Sequence, residues 1–153
     1  MTDAPPSTIV VTGATGGLGR AAIDGLLARG VAASSIVAAG RNAEKLDALK
    51  HLGVRTAVVD FAEPDTLIPA FAGADTLVLV STSEPGNRVP LHAAAIDAAK
   101  AAGITHIVYT SAPHADTSAL ILAPEHKAAA VAKLIRELEP KQIPADPAAA
   151  AAN

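Results

Sequence analysis

Gly13, Gly16 and Gly19 recur at three-residue spacing within residues 12–19, T-G-A-T-G-G-L-G. Glycines so spaced suit a backbone that must receive a phosphate. One stands where the chain bends, one where the anion approaches, and one where the next helix packs against the turn. The first turn of that helix then presents unpaired N–H groups and a partial positive charge. The flanks give the pattern its meaning. Ile9, Val10 and Val11 form the β-branched run of a buried parallel strand, and Leu18, Ala22, Ile23, Leu26 and Leu27 keep helical spacing up to Gly30. Strand, glycine turn and helix in this order make a unit that holds a dinucleotide pyrophosphate. The alternative is a tight turn with a structural role alone.

Apolar runs and helical stretches alternate along the rest of the chain, so the expected fold is α/β. It is a Rossmann-like doubly wound parallel sheet of about five strands with helices on both faces. Residues 35–40, 54–61, 75–80 and 105–111 read as the further strands. Asn42 caps a helix running to residue 52, with Leu46 and Leu49 inward and Gly53 after it. A helix starts near Pro64, and Pro69 makes it short or kinked. Residues 89–102 and 124–138 read as the last two helices. Right-handed crossovers bring the loops that leave the strands to one edge, where such sheets bind ligands.

At the end of the second strand an NAD site carries an acidic residue on the adenosine ribose. Here the text is Gly40-Arg41-Asn42. An arginine can clamp a 2′-phosphate bidentately, which favours NADPH, with NADH the second candidate. Otherwise Arg41 is a solvated loop residue beside Glu44. Asp60 and Phe61, ending the third strand, can meet the adenine, or Asp60 simply starts the following helix.

Composition narrows the classes. Zero cysteines exclude disulfides and thiolate metal sites, and the histidines have no metal-ligand spacing, so no metal is expected. His92, His106 and His114 read as surface or capping residues. A net charge of −3 and very few aromatic residues argue against a nucleic-acid partner. No apolar run reaches membrane-spanning length and no signal-like leader precedes Pro5-Pro6, so membrane insertion is not expected and a cytoplasmic location is. After Glu139 the text turns to Pro140, Pro144, Pro147 and a run of five alanines. The expected organisation is thus a tail over residues 1–7, a NAD(P)-binding domain over 8–139, and a loose tail over 140–153.

The glycine turn, A-G-R-N, S-T-S-E-P-G-N-R-V-P-L-H, Y-T-S and H-A-D-T-S together resemble the NmrA-like atypical short-chain dehydrogenases. Among these the sequence is most similar to the type 2 NAD(P)H:quinone oxidoreductases, from about Thr8 to Lys127. The resemblance implies hydride transfer from NADPH to a quinone. It places Gly13, Thr15, Gly16, Leu18 and Gly19 at the pyrophosphate, Arg41 at the 2′-phosphate, and Asp60 and Phe61 at the adenine. Ser81, Thr82 and Ser83 fall at the middle of the cofactor, and Thr110 near the nicotinamide. Ser111 stands where the superfamily has its polarising serine, with His126 and Lys127 nearby on a helix.

The superfamily's Tyr-x-x-x-Lys pair is absent, because Ala123 stands four residues before Lys127. A quinone needs positioning more than a strong acid, since its reduced anion is aromatic and protonates readily. Relatives continue into a sixth strand and a substrate lobe where this sequence has its Pro/Ala-rich tail, so it reads as a C-terminally shortened relative. A second reading is a non-catalytic NADP(H)-sensing regulatory module of the NmrA-like type. Tyr109 alternates within an apolar strand and reads as core. Glu84 and Arg88 either meet substrate or pair with one another in solvent. An uncovered edge on the fifth strand is a place where a homodimer would form.

Overall fold

The computed structural model describes residues 7–82, 84 and 87–111. Ser83, the helix expected at 124–138 with His126 and Lys127, His114, residues 1–6 and the tail over 140–153 lie outside the described residues.

Among the described residues five parallel strands form one sheet in the order β3-β2-β1-β4-β5. They are β1 Ile9–Val11, β2 Ile36–Gly40, β3 Arg55–Val58, β4 Thr76–Leu79 and β5 His106–Tyr109. Val10 pairs in register with Val37 on one side and Leu77 on the other. Strand alternation then sends neighbouring side chains to opposite faces. Val10, Val37, Leu77 and Leu79 pack with Phe71 and Ile96 under the helices that follow β3 and β4. Val11, Ile36 and Ala38 pack with Ile23, Leu46 and Leu49 under the helices that follow β1 and β2. Each fully buried large side chain contributes about 1.5–3 kcal/mol. Strand order reverses beside β1, so the crevice of a doubly wound sheet opens between β1 and β4.

The helices are α1 Gly17–Ala28, α2 Ala43–Asp47, α3 Leu67–Phe71 and α4 Arg88–Ala101. Asn42 caps α2 as expected, its side chain accepting from the Lys45 N–H at 2.9 Å. The helix is shorter than its pattern predicts. The segment Lys50–Leu52 tightens into a 3-10 turn closing on Gly53 at φ 81°, yet Leu46 and Leu49 stay buried. β3 also stops early, at Val58. There the Asp60 carboxylate accepts from the Ala62 N–H at 2.9 Å, and the Asp60 N–H donates to Thr66 Oγ1 at 3.0 Å. These local bonds replace the sheet ladder. Pro69 lies in α3, which runs on from the 3-10 turn Pro64–Thr66 and ends at Phe71, so the helix expected from Pro64 is short.

Candidate functional site

The floor of the crevice is the turn after β1. Gly13 sits at φ 62°, a left-handed conformation that disfavours a side chain. A Cβ on Gly19 would lie 2.1 Å from the Gly13 carbonyl oxygen, so α1 packs on the turn only because Gly19 has none. Gly16 is the N-cap of α1 and brings no side-chain cap. The first-turn N–H groups of α1 therefore face the crevice as donors for an anion. Thr12 ties the end of β1 to the strand on the far side of the crevice. Fully buried, it accepts through Oγ1 from the Val80 N–H at 3.1 Å and donates from its own N–H to the Val78 carbonyl at 3.0 Å.

A cleft of about 700 Å³ stands above this floor. Gly13, Thr15, Gly16, Leu18 and Gly19 line it, and so do Arg41, Asp60 and Phe61 together with Ser81, Thr82, Thr110 and Ser111. Topology explains the gathering, since each group follows the C-terminal end of a different parallel strand. The size, and a cradle closed to any Cβ at Gly19, fit a dinucleotide threaded over the turn.

Arg41 is exposed, as a solvated loop residue would be, but its ion pair is with Glu84 and not with Glu44. Its Nη1 donates to Glu84 Oε1 at 2.8 Å, joining the loops on either side of the β1 turn. Lys45 also lines the cleft, a second cation near Arg41 that the sequence reading did not single out. Its signal is its place one turn into α2, four residues past Arg41. Asp60 lines the cleft while also closing the turn described above.

The other wall hangs on α4. Arg88, expected to meet substrate or to pair in solvent, is buried, and its Nε donates to the Thr82 carbonyl at 2.8 Å. His92, expected at the surface or as a capping residue, is 1% exposed. Its Nε2 accepts from the Thr82 N–H at 3.1 Å, and its Nδ1 lies 3.2 Å from the Tyr109 hydroxyl. A backbone N–H can only donate, so Nε2 carries no proton here and Nδ1–H faces Tyr109. Phe61 and Tyr109 meet the imidazole edge-on at 6.4 and 5.4 Å between ring centroids. Both backbone polar groups of Thr82 are thus clamped by buried side chains of one helix. Ser81 is tied likewise, its N–H donating to Thr110 Oγ1 at 2.8 Å and its hydroxyl to the Thr110 carbonyl. His92→Phe keeps the ring but leaves the Thr82 N–H without its acceptor. It is expected to lower stability by about 1–3 kcal/mol in urea unfolding, with His92→Gln recovering part of the loss.

No helix among the described residues is long and apolar enough to cross a membrane. β5 is a sheet edge among the described residues, with Val108 exposed on it.

Similar proteins share this fold. Quinone oxidoreductase 2 of Escherichia coli (strain K12) is 48% identical over 118 residues, 77% of this chain and 41% of its own length. Triphenylmethane reductase of Citrobacter sp., solved with NADP(H), superposes with TM-score 0.79 at 39% identity, over 86% of this chain and 46% of that one. An NADPH-dependent quinone oxidoreductase from Escherichia coli, solved with NADPH, gives 0.77 at 43% identity over 86% and 45%. This chain therefore spans less than half the length of the relatives it matches. The model of a family described as NAD(P)H-binding matches residues 13–142, most of the chain and the crevice from Gly13 onward. With its glycine cradle at the switch point of a parallel sheet, the chain belongs to that NAD(P)H-binding family.

Proposed function

We propose that the chain binds NADPH in this cleft and serves as the cofactor domain of a quinone reductase. The observation that carries the reading is the glycine cradle, closed to a Cβ at Gly19, with the Arg41 guanidinium on its rim. Similarity to quinone oxidoreductase 2 supports the choice of quinone. In this reading Gly13, Thr15, Gly16, Leu18 and Gly19 hold the pyrophosphate, and α1 adds its N-terminal partial charge. Arg41 and Lys45 hold the 2′-phosphate, and Asp60 and Phe61 flank the adenine. Ser81 and Thr82, with Ser83, fix the middle of the cofactor, and Thr110 orients the nicotinamide end. NADPH, when bound, supplies the hydride that a quinone accepts.

Ser111, exposed on the lining of the cleft, donates a hydrogen bond to the quinone oxygen in this scheme. His126 and Lys127 are proposed as the groups that return a proton to it. Such chemistry rests on positioning, which the α4 clamp on Thr82 provides without a strong acid.

The test is oxidation of NADPH, followed at 340 nm, on adding a benzoquinone to the protein–NADPH complex. Turnover is expected. Folded protein that binds NADPH and oxidises it with none of several quinones would overturn the reductase reading. It would leave the NADP(H)-sensing module, which the absence of a tyrosine four residues before Lys127 favours.

A further inference from the structure

We infer that Glu84 sets the balance between 2′-phosphorylated and unphosphorylated dinucleotides by competing for Arg41. The inference rests on the cleft being a NAD(P)H site, as proposed above.

Arg41 follows the last residue of β2, and Glu84 lies in the loop after β4. They are 43 residues apart in sequence and on opposite sides of β1, yet Nη1 and Oε1 meet at 2.8 Å. Both line the cleft. The end of β2 reads Gly40-Arg41-Asn42 and has no carboxylate for a ribose. Glu84 supplies one from the opposite loop. One rim of the cleft thus carries both elements by which such sites tell the two dinucleotides apart, an acid for a 2′-hydroxyl and a guanidinium for a 2′-phosphate.

Their contact decides the sign of the effect. A phosphate is bound best by a guanidinium fork with two parallel N–H donors. In this structure one terminal nitrogen of the fork is engaged by Glu84. A 2′-phosphate must displace that carboxylate, and the carboxylate left beside a doubly charged group repels it. A ribose 2′-hydroxyl meets neither obstacle, because it can donate to Glu84 while Arg41 keeps its partner. Glu84 therefore weakens NADPH binding and supports NADH binding. The side chains are 66% and 44% exposed, so the pair is loose enough for either nucleotide to rearrange it.

Glu84→Gln in the whole chain removes the charge and keeps the shape. NADPH and NADH are titrated by fluorescence at low ionic strength. The dissociation constant for NADPH is expected to fall about fivefold and that for NADH to rise about two- to threefold. The divergence should shrink at about 0.5 M salt. In an Arg41→Ala background the same substitution should lose most of its effect on NADPH. If the two constants move together, or NADPH binding is unchanged or weaker in Glu84→Gln, the inference is overturned while the cleft assignment stands. Folded wild-type protein that binds neither nucleotide overturns the cleft assignment, and this inference with it.

Discussion

Replacing Gly19 by alanine is expected to abolish NADPH binding and to lower the stability of the fold by about 3 kcal/mol. The added Cβ would stand 2.1 Å from the Gly13 oxygen, 2.5 Å from the Gly13 carbonyl carbon and 2.9 Å from the Ala14 nitrogen. All three are backbone atoms of the turn that forms the floor of the cleft. None can rotate away as a side chain does, so α1 must move off the turn. The donors of its first turn then no longer converge where the pyrophosphate is proposed to lie. Gly25→Ala on the same helix is the control, because its Cβ would meet only the mobile end of Arg29. It is expected to raise stability by about 0.5–1 kcal/mol through the lower entropy of the unfolded chain. Urea unfolding and NADPH titration of the two variants make the comparison.

Arg41→Ala is expected to weaken NADPH binding about 10- to 100-fold and to change NADH binding much less. The estimate follows from about 1.5–3 kcal/mol for charge-assisted hydrogen bonds to a phosphate. Arg41 is exposed and its guanidinium packs into no core, so the loss should appear in binding and leave unfolding almost untouched. Equal loss for NADPH and NADH would mean that Arg41 acts on a part common to both. Attention would then pass to Lys45, the other cation of that rim.

The parts of the fold that were legible in the sequence are those that local chemistry dictates. A β-branched run, three spaced glycines and an amphipathic stretch suffice to define β1, its turn and α1, and Asn42 announces the start of α2. Element ends were less legible, because side-chain bonds settle them. Thr66 and Asp60 close a turn where the apolar run alone predicts more strand. The site divides the same way. The residues that line the cleft follow from strand ends, whereas their partners depend on distant loops meeting. Nothing near Arg41 points to Glu84 as its partner. His92 is ten residues from Thr82 and seventeen from Tyr109, and a helix so rich in alanine has too weak an apolar stripe to show which face carries it inward.

The most direct test of the central claim is a titration of the folded wild-type chain with NADPH, followed by displacement with 2′,5′-ADP and with 5′-AMP. The expected result is saturable one-to-one binding, displaced at lower concentration by the nucleotide that carries the 2′-phosphate. Folded protein that binds no NADPH, or releases it equally to both nucleotides, would contradict the assignment of the cleft and of Arg41 within it.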